Sequence, residues 1–160
     1  MRMLVLGAGQ QGSACAYDLL ARSDAEVILA DRHTDRIPEF LRPYLSGRLR
    51  VERLDAADAH SVARLMEGAT ATMCALPYYL NPPMTEAAIA AGSHFCDLGG
   101  NTEIVVRQKR FAGAARERGV SVVADCGLAP GMVNILAEEG IRRLDRPRAV
   151  RIKVGGLPQH

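Results

Sequence analysis

Met3-Leu4-Val5-Leu6-Gly7-Ala8-Gly9-Gln10-Gln11-Gly12 decides the fold. A short apolar run feeds directly into three glycines spaced G-x-G-x-x-G, and a segment of helical period follows over 12–21. In that setting the first glycine permits a tight turn, the second lets backbone approach a pyrophosphate, and the third lets helix pack closely on strand. A helix start also offers free N–H groups and a positive dipole end to phosphate. Gly7, Gly9, Gln10, Gln11 and Gly12 are therefore the candidate pyrophosphate residues of a dinucleotide-binding, Rossmann-type turn. A glycine-rich turn without a ligand is the competing reading.

Short apolar runs alternate with longer helix-period segments along the rest of the chain, which is the pattern of repeated strand-helix-strand units. Strands are predicted over 3–7, 26–30, 49–54, 71–76, 94–98 and 120–124. Helices are predicted over 12–21, 59–66, 83–91, 102–118 and 131–144, with a weaker helical segment over 36–45 that Pro38 and Pro43 interrupt. The strands are apolar on both faces, as strands covered by helices on both sides must be. The predicted fold class is α/β, a doubly wound parallel sheet in the order 3-2-1-4-5-6. Gly68, Gly92 and Gly119 stand where helices stop, and Asn101 stands at a helix N-cap.

Residues 148–154 differ in kind. Val150, Ile152 and Val154 alternate with Arg151 and Lys153, which reads as a half-exposed strand. The expected organisation is a dinucleotide-binding domain over 1–147, with 148–160 the first strand of a second, truncated substrate and dimerisation domain.

In a doubly wound sheet the ligand lies at the carboxyl ends of the strands, so the residues there are the site candidates. Asp31 ends the second strand, where a carboxylate accepts from ribose hydroxyls and repels a 2′-phosphate. NAD is accordingly preferred to NADP. Arg32 works the other way, since a guanidinium there can stack on adenine or grip a 2′-phosphate. Asp55 follows the third strand at the adenine side, and Asp58 nearby is equally a helix cap. The loop over 75–81 after the fourth strand, with Leu76 and Pro77, borders the nicotinamide ribose in this reading, a purely structural turn made by Pro77, Pro82 and Pro83 being the alternative. The ends of the fifth and sixth strands, over 97–101 and 125–131, put polar groups and bare backbone at the same crevice. Asp97 is the candidate catalytic residue, placed to bind or deprotonate an amine, with capping of the following helix as the alternative. His94 reads as structural or exposed more readily than as catalytic.

The 160 residues are the size of one ordinary domain. The net charge of +2 comes from dispersed arginines, which supports no nucleic-acid partner. No segment has the roughly 20 apolar residues of a membrane helix, and the N-terminal apolar run is too short for a signal peptide, so a cytoplasmic location without membrane contact is expected. Cys15, Cys74, Cys96 and Cys126 form no CxxC pair and read as buried free thiols, with metal ligation or a disulfide the lesser alternatives. No metal site is expected.

The segments Ala75-Leu76-Pro77-Tyr78, Ala90-Ala91-Gly92, Cys96-Asp97-Leu98-Gly99-Gly100-Asn101, Asp125-Cys126-Gly127-Leu128-Ala129-Pro130-Gly131 and Gly155-Gly156-Leu157-Pro158 resemble the saccharopine dehydrogenase-like family. Within it the likeness is greatest to the L-lysine 6-dehydrogenases. The resemblance implies cofactor contacts at Gly7, Gly9, Gly12 and Asp31 and nicotinamide-side contacts around Leu76, Pro77, Leu98 and Gly99. It further implies a longer, homo-oligomeric polypeptide that oxidises an amine or amino acid with NAD, for lysine to the semialdehyde and ammonia. The 160-residue chain alone is expected to be inactive. A stand-alone nucleotide-sensing regulatory module is the alternative reading, against which the strand at 148–154 and the Asp97–Asn101 loop argue.

Overall fold

The structure, a computed structural model, describes residues 1–35 and 37–155. Six strands run β1 (Arg2–Leu6), β2 (Glu26–Asp31), β3 (Leu49–Arg53), β4 (Ala71–Cys74), β5 (His94–Asp97) and β6 (Val122–Val123). Between them lie the helices α1 (Gln10–Arg22), α2 (Ala59–Met66), α3 (Asn81–Ala91), α4 (Thr102–Lys109) and α5 (Ala112–Arg118), and α6 (Met132–Arg142) follows the last strand. Every strand pair is parallel, and the order across the sheet is β3-β2-β1-β4-β5-β6. The predicted doubly wound order is the one observed.

The pleat explains why the central strands are apolar throughout. Leu4, Leu6, Ile28 and Ala30 project to one side, where they pack with Val62 and Met66 of α2 and Met84 and Ala88 of α3. Val5, Val27 and Leu29 project to the other, against Ala16 and Leu20 of α1 and Leu41. Successive side chains of a strand point to opposite faces, so a strand covered twice has no solvent position to fill with polar residues.

Beyond shifts of a residue or two at several other ends, five departures from the sequence pattern bear on the site and its surroundings. First, α1 begins at Gln10, which puts Gly12 inside its first turn. Second, the weak helix at 36–45 is a 3-10 turn, Glu39–Tyr44, entered through Pro38 and containing Pro43; Arg36 lies outside the described residues. Third, the helix predicted over 102–118 is two helices. Arg110 N–H bonds to Arg107 and Phe111 N–H to Gln108, each at a three-residue spacing, and this tightening turns the chain between α4 and α5. Fourth, β6 keeps only two residues of the predicted 120–124.

The fifth departure is the strand expected over 148–154. Residues 148–155 carry no regular structure, and Val150, Ile152 and Val154 are exposed. A strand exists only where a neighbour takes its backbone N–H and C=O groups, and no described strand pairs with this segment. Residues 156–160, the remainder of the expected second-domain start with Gly156-Leu157-Pro158, lie outside the described residues.

Candidate functional site

The turn after β1 is held from both neighbouring strands. Gly7 N–H donates to Ala30 C=O of β2, and Ala75 N–H after β4 donates to Leu6 C=O, each at 2.8 Å. Gly7 takes a φ of +97°, and a Cβ there would stand 2.9 Å from the Ala75 carbonyl oxygen, so the position admits glycine on both conformation and space. Gly12 is as tightly constrained: a Cβ would run into the Gly7 carbonyl oxygen. Gly9 is the opposite case, exposed, with nothing within 4 Å of where its Cβ would be.

Gly9 is also the N-cap of α1, and no side chain caps that helix or puts an acid in its first turn. Its leading N–H groups have no intrahelical acceptor. The turn therefore combines unclaimed donors, the positive end of a helix dipole and open space at Gly9. This donor set fits a pyrophosphate, and Gly7, Gly9, Gln10, Gln11 and Gly12 are the residues that would hold one.

Asp31 closes the same turn from β2. Its Oδ2 accepts from Ala8 N–H at 2.7 Å and its Oδ1 from His33 N–H at 2.8 Å. The carboxylate thus orients the glycine turn as well as facing a cavity of about 250 Å³ at the carboxyl ends of β2, β3 and β4. That cavity is lined by Asp31, Arg32, Leu54, Leu76, Pro77 and Tyr79, among others. Four residues singled out separately in the sequence, Asp31, Arg32, Leu76 and Pro77, are brought together there. Asp55 stands beside it, its Oδ1 accepting from Arg32 Nη2 at 3.1 Å and from Ala57 N–H at 3.0 Å. The Ala57 N–H and then Arg32 hold its carboxyl below the usual range. Asp58 is a helix cap: its carboxylate accepts from Ser61 and His60 N–H, and bonds from the Ser61 hydroxyl and backbone lower its pKa.

Leu98 and Gly99 do not line this cavity. They lie at the end of β5, wedged against the chain that leaves β6: a Gly99 Cβ would strike the Asp125 carboxylate, and a Gly127 Cβ would strike the Leu98 carbonyl oxygen. Asp97 ties these two segments together. Its side chain is wholly buried; Oδ1 accepts from Gly99 N–H at 2.7 Å and Asp125 N–H at 3.2 Å, and Oδ2 from Gln108 Nε2 at 2.6 Å. With no exposed oxygen left for an amine, its observed duty is to position the loops after β5 and β6. Nor does it cap α4, whose first turn is capped by Asn101. The sequence reading passed over Gln108 and Thr85, whose hydroxyl also accepts from Gln108 Nε2 at 2.9 Å; a glutamine amid a helical pattern carries no mark of burial.

His94 is exposed, and its Nδ1 accepts from Ser121 N–H at 2.9 Å, a tether between neighbouring strands. Among the cysteines the expectation of burial holds only for Cys74. Cys15 and Cys96 are half-buried and Cys126 is exposed; all four are free thiols. Burial pushes the Cys74 thiol up to about 12 and that of Cys96 to about 11. Among the described residues no acid, histidine and cysteine group could hold a metal ion, and no helix is long and apolar enough to cross a membrane.

Residues 3–123 match the family model described as the saccharopine dehydrogenase NADP binding domain. Among solved structures the chain is similar to a saccharopine dehydrogenase (L-Glu forming) from Saccharomyces cerevisiae, 20% identical with a TM-score of 0.72 over 88% of this chain and 30% of that one. A short-chain dehydrogenase/reductase of the wide type from Veillonella parvula, in complex with NADP, is 14% identical with a TM-score of 0.56 over 77% of this chain and 67% of that one. A scyllo-inositol dehydrogenase from Lactobacillus casei is 13% identical with a TM-score of 0.55, over 78% and 36% respectively. At these identities the likeness is one of fold. The chain spans about a third of the length of the yeast enzyme, 30%.

Proposed function

Because this chain belongs to the family of the saccharopine dehydrogenase NADP-binding domain, we propose that it is the cofactor-holding part of an oxidoreductase that takes hydride from an amine-bearing carbon. The nicotinamide-binding role itself comes with the family. The finer reading is oxidation of an amine or amino-acid substrate with NAD, L-lysine at its 6-amino carbon being the substrate that the Asp97-Leu98-Gly99-Gly100-Asn101 and Gly127-Leu128-Ala129-Pro130-Gly131 segments favour. Residues 1–147 are the cofactor domain, and 148–160 begin the substrate and dimerisation domain of a homo-oligomeric enzyme of the cytoplasm. The bare surface of α6, in which no residue is buried, supports that division. Family membership favours this reading over a nucleotide-sensing module.

The observation that carries the proposal is the open space at Gly9 beside the uncapped start of α1. When bound there, the dinucleotide supplies a hydride acceptor. The protein's own part is to fix it: backbone donors of 9–12 at the pyrophosphate, Asp31 at the adenosine ribose, Leu76 and Pro77 along the cavity wall. Asp97 keeps Gly99 in place at the nicotinamide side. An amine must shed its proton before hydride leaves, and Asp97 is not free to take it, so the base belongs to residues outside those placed here.

Titration calorimetry tests the proposal. NAD is expected to bind the unmodified chain more tightly than NADP, and Gly9→Val to abolish binding while circular dichroism stays unchanged. Survival of binding in Gly9→Val would remove the phosphate site from this turn. Asp31→Ala is expected to narrow the gap between the two dinucleotides and to weaken both, since Ala8 N–H loses its acceptor; equal affinities before mutation overturn the NAD preference. On the gene's whole product, reduced-cofactor absorbance with L-lysine above that with other amino acids supports the substrate, and preference for another amine overturns it.

A further inference from the structure

Arg32 is a guanidinium at the mouth of the adenosine cavity, and it is already engaged. Its Nη2 meets Asp55 Oδ1 at 3.1 Å. That oxygen is itself aimed by Ala57 N–H at 3.0 Å, so the backbone of the loop after β3 holds the carboxylate toward Arg32. Asp55 sits between Leu54 and Ala56, both of which line the cavity together with Arg32 and Asp31. Among the described residues the mouth presents the Asp31 and Asp55 carboxylates and the Arg32 guanidinium, and each carboxylate has a backbone donor fixing its direction.

A ribose 2′-hydroxyl is neutral and leaves this arrangement undisturbed. A 2′-phosphate brings close to two negative charges and needs Arg32, which must first leave Asp55. It then meets the Asp31 and Asp55 carboxylates, with Arg32 the one guanidinium among the described residues that line the cavity. The pair is exposed, with side-chain accessibilities of 64% and 53%, so its contribution to folding is small and its consequence lies in ligand choice.

We infer that Asp55 is a specificity-determining residue that works through Arg32: it keeps the guanidinium off the ribose 2′ position and so selects against the phosphorylated dinucleotide. The inference rests on the nucleotide-binding proposal above and names the device behind its cofactor preference.

Calorimetric titration of the 160-residue chain with NAD and NADP, and with the fragments 5′-AMP and adenosine 2′,5′-bisphosphate, tests it in the unmodified protein, Asp55→Asn and Arg32→Ala/Asp55→Asn. Asp55→Asn is expected to raise the NADP to NAD affinity ratio by roughly fivefold or more, the scale of one unit-charge contact in water. The bisphosphate fragment should follow NADP, the effect should shrink at high salt, and the double variant should lose it. An unmoved ratio overturns the inference. Parallel losses for both dinucleotides overturn it too, by making Asp55 an adenine contact, and a gain that persists in the double variant overturns the route through Arg32. Should the unmodified chain bind neither dinucleotide, the nucleotide proposal falls and the inference with it; binding with an unmoved ratio removes the inference alone.

Discussion

Three donors shut in the carboxylate of Asp97: Gly99 N–H, Asp125 N–H and Gln108 Nε2. Truncating it to Ala leaves buried donors unpaired at about 1–3 kcal/mol each, so Asp97→Ala is expected to cost about 3 kcal/mol or more by urea denaturation. A loss below about 1 kcal/mol would show that the network relaxes freely. The sequence located Asp97 at a strand end but could not orient it, because its partner Gln108 sits eleven positions away on a helix face. Thiol reactivity follows the same logic of surroundings. At pH 8 the exposed Cys126 should be alkylated before the other thiols, although burial and then Asp97 and Asp125 raise its pKa. Cys74, at about 12, holds little thiolate until the pH climbs toward that value. Its labelling should therefore await unfolding, and rapid modification of Cys74 in the native chain would contradict its burial.

The cap at Asn101 was legible, since a side-chain cap is a local event. Asn101 Oδ1 accepts from Glu103 N–H at 2.9 Å and Ile104 N–H at 3.2 Å, as its place before Thr102 led one to expect. Asn101→Ala is expected to destabilise the chain by about 1 kcal/mol, read as a lower urea midpoint at unchanged slope; no change would mean that α4 is held by packing alone. Asp58 adds a pH dependence. Bonding from Ser61 and His60 lowers its carboxyl pKa in the folded chain, so its stabilising effect is present above the unfolded-state pKa. It is lost as acid is added through the folded value. Helix stops at Gly92 and Gly119 were legible as well, both glycines taking the left-handed conformation that ends a helix, but the break inside 102–118 was not. The period of 102–118 runs on through the bend at Arg110, where Arg110 N–H and Phe111 N–H bond at three-residue spacing, and apolar period carries no mark of such a local tightening. The 148–154 alternation failed for a related reason: a strand pattern states a preference, and pairing depends on a neighbour.

Across the whole molecule the sheet order and both core layers could be read from the alternation of apolar runs with helical periods, but the unevenness of burial could not. Leu4, Val5, Leu6, Val27 and Leu29 have no exposed surface, whereas Met132, Ile135 and Leu136 of α6 are 50%, 72% and 61% exposed. The glycine turn and Asp31 thus stand on the best-packed part of the fold. Helix α6 depends instead on its own 11 residues, on Asn134 Oδ1 accepting from Gly131 N–H, and on the exposed pairs Arg142–Glu138 and Arg143–Glu139. Such pairs contribute about 0.3–0.5 kcal/mol each and are screened by salt, and an isolated helix shorter than roughly 12 residues is marginal in water. Local opening follows packing, so native-state hydrogen exchange of the 160-residue chain should be graded. Amides of β1, β2 and β4 should exchange only with global unfolding, while those of α6 should exchange orders of magnitude faster, and faster still at high salt. Protection of α6 equal to that of β1 would mean that this helix is covered in solution, by self-association or by packing absent from the single chain, and sedimentation at two concentrations would tell which.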